Sequence, residues 1–182
     1  MSWLNLNQKD FLKFMLENKK LHVENIIEKI KFVSMYTLSI MYFTVGVKHF
    51  TEPEFFKAIV PNYLPFKEMI VYVSGAAEII LSVGVLFKKY RKLCSILLIM
   101  LLISIFPANI FLFSSVEAQE FLGITKQQAL IRLPFQIPLI FLAHWYGKSS
   151  TRISYSIFCI LIFVPTIISV SYTHLRAHET CE

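Results

Sequence analysis

The sequence predicts an all-α membrane protein: an antiparallel four-helix transmembrane bundle, an amphipathic N-terminal helix and a candidate fifth span at the C-terminal end. Three observations predict it. Of the 182 residues 55% are hydrophobic and only 16% charged, and the mean hydropathy is +0.58, the balance of a chain that faces hydrocarbon. Several apolar runs approach the roughly 20 residues that a helix needs to cross a bilayer. Most Lys and Arg residues lie in short segments flanking those runs, so the net charge of +6 reads as topology rather than as a phosphate-binding face, and no nucleic-acid partner is expected.

The chain divides into residues 1–31, 32–147, 148–169 and 170–182. Residues 8–31 place Leu12, Met15, Leu16, Val23, Ile26, Ile27 and Ile30 at helical spacing among Lys, Glu and Asn. That pattern predicts an amphipathic helix on the membrane surface or in the cytoplasm. The first thirty residues are charged and lack the three parts of a cleavable signal peptide. The first span, Phe32–Phe50, carries a small and polar stripe of Ser39, Tyr42, Gly46 and His49, a face for close helix packing. Pro53, Pro61 and Pro65 break the following loop, where the apolar Phe55, Phe56, Ile59 and Val60 predict a short interfacial helix.

The second span, Met69–Phe87, is apolar except for Glu78 near its centre. A mid-span carboxylate costs roughly 2.5–3.5 kcal/mol on insertion scales, so it should face protein or a polar cavity. Ser74, Gly75 and Ser82 lie one turn to either side of it. The basic KKYRK cluster, Lys88–Lys92, predicts a tight turn into a third span, Leu93–Phe113, in which Pro107 opens the helix just before Asn109. Residues 114–129 read as a polar connector. The fourth span, Leu130–Gly147, carries Arg132, Pro134, Gln136 and Pro138.

Six lysines precede the first span, four basic residues join the second to the third, and Lys148 and Arg152 follow the fourth. The other two connections hold two lysines beyond Lys48, and one. The positive-inside rule therefore puts both ends of the four-span unit in the cytoplasm of a bacterial-type inner membrane. Residues 153–171 form the candidate fifth span. From Val170 the chain reads VSYTHLRAHET, which resembles the translation of a transposase adapter used in sequencing libraries. Val170–Glu182, with His174, His178 and Cys181, is therefore set aside from functional reasoning.

Five pieces in order, GVKHF (Gly46–Phe50), PNYLP (Pro61–Pro65), GAAEIILSVG (Gly75–Gly84), FPANI (Phe106–Ile110) and RLPFQ (Arg132–Gln136), resemble the DoxX family of small four-helix membrane proteins over Phe32–Gly147. The resemblance implies a membrane subunit associated with a redox system. Some members resemble the membrane subunits of a thiosulfate:quinone oxidoreductase, and others accompany soluble thiol- or superoxide-handling enzymes. A quinone and a soluble oxidoreductase partner are implied in the same way. The charged N-terminal extension and the candidate fifth span depart from the compact family unit.

The polar residues of the spans suggest one site. His49, Asn109, Arg132 and Gln136 lie toward the outer side and Glu78 near mid-membrane, with Ser74 one turn away. In the functional reading Glu78 and His49 exchange protons while Arg132, Gln136, Asn109 and Ser74 bind a quinone carbonyl or a small anion. The alternative is a buried Glu78–Arg132 pair, with Gln136 between them, that fixes helix register. A small-molecule transporter with Pro107 at its gate, or a non-catalytic assembly factor, are further readings.

Other chemistry is weakly signalled. His49 and His144 differ in depth by roughly 20 Å at 1.5 Å rise per residue, too far to share a haem. His144, Trp145 and Tyr146 read as interfacial anchors. Cys94, Cys159 and Cys181 form no paired motif, and neither a metal box, a nucleotide loop nor a nucleophile triad is present.

Overall fold

The computed structural model of the protein describes the backbone of residues 2–179 and the side chains of residues 8–168. The side chains of Val170–Glu182, including His174, His178 and Cys181, lie outside that description. Among the described residues there are seven helices and no strand: α1 (Ser2–Thr51), α2 (Pro53–Ile59), α3 (Lys67–Gly84), α4 (Arg91–Ser114), α5 (Val116–Phe121), α6 (Lys126–Gly147) and α7 (Ile153–Glu179). α1 packs on α3, α3 on α4, α4 on α6, α6 on α7, and α7 back on α1, closing a ring. The main core fills its centre, from Met35 and Leu38 through Leu81, Leu98 and Leu142 to Trp145 and Cys159.

Two helices are long and apolar enough to cross a membrane, α1 within Gln8–Thr51 and α4. That statement rests on length and composition. α3 carries Lys67, Glu68 and Glu78, and α6 carries Lys126 and Arg132, which lowers their apolar character.

The segment read as a separate amphipathic helix and the first span are one helix of 50 residues, about 75 Å long. Its continuity has a simple cause: the first glycine of the chain is Gly46 and the first proline Pro53, so nothing interrupts the backbone bonds before them. Residues 8–22 are exposed along this helix, and packing against the core begins at Ile27. The short helix expected in the proline-rich loop is α2, with Pro53 at its start, where a missing N–H costs no helical bond.

α3 ends at Gly84, before the expected Phe87, because Arg91 turns back onto it. The guanidinium donates from Nε to Val85 O and from Nη2 to Leu86 O, each at 3.0 Å, satisfying carbonyls that the helix end leaves open. Arg91→Leu is expected to lower stability by about 1.5–3 kcal/mol, the range for hydrogen bonds from a charged donor. Thermal unfolding in detergent measures it, and an unchanged midpoint would remove the cap from the account.

The polar connector contains structure of its own. Ser115 caps α5 through Ala118 N, and the buried Gln119 amide donates to Leu112 O and Phe113 O at the end of α4. Thr125 and Gln128 then form a capping box that starts α6. At the far end of α6 the anchors read from the sequence divide. His144 is exposed and bonds Tyr155 Oη at 2.9 Å, but Trp145 and Tyr146 are buried. The indole N–H of Trp145 finds Ser156 Oγ at 3.2 Å, so docking of α7 supplies the polar partner that an interface would otherwise provide.

Candidate functional site

The site begins where α1 and α3 cross. Gly46 and Gly75 meet so closely that a Cβ at residue 46 would lie 2.8 Å from Gly75 O, and one at residue 75 would strike His49 Cβ. Only glycine at both positions lets the backbones approach this far. One turn beyond each glycine stand His49 and Glu78, which the crossing brings face to face. His49 Nδ1 lies 3.7 Å from Glu78 Oε2, and both side chains are buried. His49 Nδ1 is also 2.9 Å from Val45 O, and a carbonyl can only accept, so Nδ1 carries the hydrogen and Nε2 the lone pair. The imidazole stacks on Phe56 of α2, with centroids 3.6 Å apart.

Beside this pair is a cavity of about 450 Å3, within the size range of small-molecule sites. Its walls are mostly apolar, with Val45 from α1, Phe56 and Ile59 from α2, and Val71 from α3. All six residues singled out from the sequence, His49, Ser74, Glu78, Asn109, Arg132 and Gln136, line it, and they come from four different helices.

Their pairing differs from expectation. Among the described residues no guanidinium nitrogen lies within 4.0 Å of Glu78; the titratable group that faces it is the His49 imidazole, at 3.7 Å. Gln136 does not stand between Arg132 and Glu78 either. Its amide nitrogen donates to Leu102 O of α4, while its oxygen accepts from Asn109 Nδ2 at 3.0 Å. Pro107 lies inside α4 and cannot donate to the carbonyl of Ile103, the residue after the Leu102 whose carbonyl accepts from Gln136. Asn109 and Gln136 thus stitch α4 to α6, and Ser74 Oγ donates to Val71 O within α3.

Three residues of the cavity wall have a buried polar atom with no hydrogen-bond partner: Tyr42 at Oη, Glu78 at Oε2 and Arg132 at Nε. A carboxylate oxygen and a guanidinium N–H held apart across one cavity offer an acceptor and a donor to the same small molecule. Among the described residues no group of three or more His, Cys, Asp or Glu could hold a metal ion, and Cys94 and Cys159 are free and buried.

Sequence reasoning missed Tyr42 and Phe56 as cavity residues. Tyr42 was already visible on the polar stripe, one helical repeat before His49. Phe56 gave no signal apart from its place in the apolar run of the loop.

Fold and site together define a class: an all-helical protein with two helices able to cross a membrane and a largely apolar cavity carrying separated polar groups. Within that class, the chain belongs to the family described as Domain of unknown function (DUF8561), which matches residues 38–147. The matched segment holds all six cavity residues named above and ends at the last residue of α6. No curated protein matches the chain, and no solved structure does.

Proposed function

We propose that the protein is an integral subunit of a bacterial-type inner membrane that serves a redox system and binds a quinone in the cavity between α1, α3, α4 and α6. In this reading α1 over residues 32–50, α3, α4 and α6 cross the bilayer as an antiparallel four-helix bundle, and α7 adds a fifth span. The N-terminus and the end of the four-span unit are cytoplasmic. Exposed apolar residues such as Ile40, Val73, Ile80, Met100, Ile103 and Ile137 support a lipid-facing surface, since soluble proteins rarely expose so much contiguous apolar area. The distribution of Lys and Arg supports the orientation.

The observation that carries the function is the convergence of six polar residues from four helices on one largely apolar cavity. A quinone ring suits its apolar walls, with a carbonyl oxygen accepting from Arg132. Reduction of a quinone to a quinol takes two electrons and two protons. A soluble oxidoreductase partner supplies the electrons, and Glu78 with His49 delivers protons to the ring oxygens. The resemblance to the DoxX family favours the same role.

A tagged full-length protein, extracted from its native membrane in mild detergent, tests the reading. Stoichiometric recovery of a soluble oxidoreductase, with stabilisation of the complex by a quinone analogue, is the expected result. Recovery of the folded protein alone, without a response to the analogue, would overturn it. One observation favours a transporter as the second reading: Pro107, inside α4, lines the cavity, where it would serve as a gate. Solute uptake by proteoliposomes holding this protein alone would select it over the subunit, and failure of both tests would leave an assembly factor.

A further inference from the structure

The outward side of α1 carries a seven-residue repeat that the bundle does not use. Leu12, Leu16, Lys19, Val23, Ile26 and Ile30 alternate spacings of four and three, and Val33, Thr37, Ile40, Thr44 and Val47 continue the alternation into the span. None of these residues is buried, and those of the span lie on the side of the helix away from Met35, Leu38 and Tyr42, which pack into the core. Thr37 and Thr44 donate to Val33 O and Ile40 O at 3.0 and 2.9 Å, so neither brings an unmet hydroxyl to the stripe. Only Lys19 is charged.

A stripe with a period of 3.5 residues is the seam of a left-handed coiled coil. The charges keep the same period. Lys13 and Lys20 stand seven apart at the edge of the stripe, and Asp10, Glu17 and Glu24, also seven apart, lie one step further round, with Lys20 Nζ 3.9 Å from Glu24 Oε1. In a parallel pair held in register, Met15 faces Lys20 of the second copy and His22 faces Ile27 of the second copy, so no like charges meet along the edges of the seam. Lys19 alone meets its own counterpart. A single polar position inside a seam costs stability and specifies the register.

The reach of the stripe decides what covers it. Lys31 Nζ donates to Lys148 O at the basic end of the bundle, and residue 8 of the unbroken helix stands roughly 35 Å beyond that point. A continuous helix that crosses a bilayer does not also lie on its surface. Acyl chains therefore reach only the part of the stripe within the span, whereas a helix with the same repeat covers all of it.

We propose that α1 is the interface of a parallel homodimer, pairing with α1 of a second copy through Leu12, Leu16, Val23, Ile26 and Ile30 and onward along the outward face of the span. The parallel direction rests on the reading of α1 as a span, because copies oriented by one charge rule point the same way. The cavity plays no part in it.

The test uses the full chain in its native membrane, with Cys181→Ser leaving only the buried Cys94 and Cys159. Mild oxidation with copper phenanthroline should join copies carrying Leu12→Cys or Leu16→Cys, and should not join copies carrying Glu17→Cys, which lies off the stripe. In detergent, Leu16→Glu is expected to weaken the dimer by roughly tenfold or more and Lys19→Leu to strengthen it by a similar factor, read by native mass spectrometry. Both positions are exposed and precede the part of α1 that packs on the core, so the melting midpoint should hold and the opposite responses separate a seam from a folding defect. Equal joining at residues 12, 16 and 17 would mean random collision and overturn the dimer. A monomer unmoved by either substitution would also overturn it, and shielding of Leu16→Cys from a maleimide by anionic lipid vesicles would then make the bilayer surface the occupant. Joining of Leu16→Cys only to a different protein would overturn it in favour of that partner. Release of the wild-type chain from membranes by alkaline carbonate would overturn the span, and the parallel pairing with it.

Discussion

Gly75→Leu is expected to lose the folded bundle, read as the disappearance of the monodisperse peak in size-exclusion chromatography after detergent extraction. A Cβ at residue 75 would strike His49 Cβ and lie 3.0 Å from Gly46 O, and neither group can move without its helix. Overpacking a well-filled contact typically costs about 1–3 kcal/mol, and leucine adds four carbons where one already clashes, so about 3 kcal/mol or more is expected. Against a total stability on the order of 5–15 kcal/mol, that loss is severe. A protein that survives must hold α1 and α3 further apart, separating His49 from Glu78. An unchanged peak and melting midpoint would show that the crossing is looser than described.

Glu78→Gln is expected to do the reverse, leaving the fold intact and removing activity. Breaking a buried ion pair by deleting one partner costs about 3–5 kcal/mol because the other charge is stranded. Here no guanidinium nitrogen approaches Glu78, and its contact with His49 is 3.7 Å, beyond hydrogen-bonding range. The amide is nearly isosteric and strands no cation, so the melting midpoint should stay within a few degrees of the wild type. A positioned proton-transfer group contributes about 10²–10⁴-fold to rate, and under the function proposed above a fall of that order is expected in quinone reduction by the complex with its oxidoreductase. Failure of Glu78→Gln to accumulate in the membrane would instead assign Glu78 a structural role.

Much of the architecture was legible because it is written in local pattern. The stripe Ser39, Tyr42, Gly46, His49 is the buried face of α1, and Gly75, Glu78 and Ser82 form that of α3, as small residues at helical spacing require. The short helix in the loop followed from Pro53 and the apolar residues after it. The length of α1 is legible too, in the absence of glycine and proline before Gly46, although the change from amphipathic to apolar character near residue 32 imitates a boundary. Composition can change along a helix without ending it. The partners of Glu78 and Gln136 were not legible. Depth along a helix follows from residue number, whereas pairing depends on how each helix is rotated about its axis, and that rotation is set by contacts such as Gly46 on Gly75 that span two segments.

The seam between α6 and α7 also gives the molecule a built-in optical probe. The chain has two tryptophans, and Trp145 is sealed in the core with its indole N–H on Ser156 and the Lys31 ammonium 5.5 Å from its ring centroid. Once Trp3 is replaced by phenylalanine, all tryptophan emission comes from that seam. Its colour and intensity then report, without a label, whether the last helix is seated, a segment beyond the family match at residue 147.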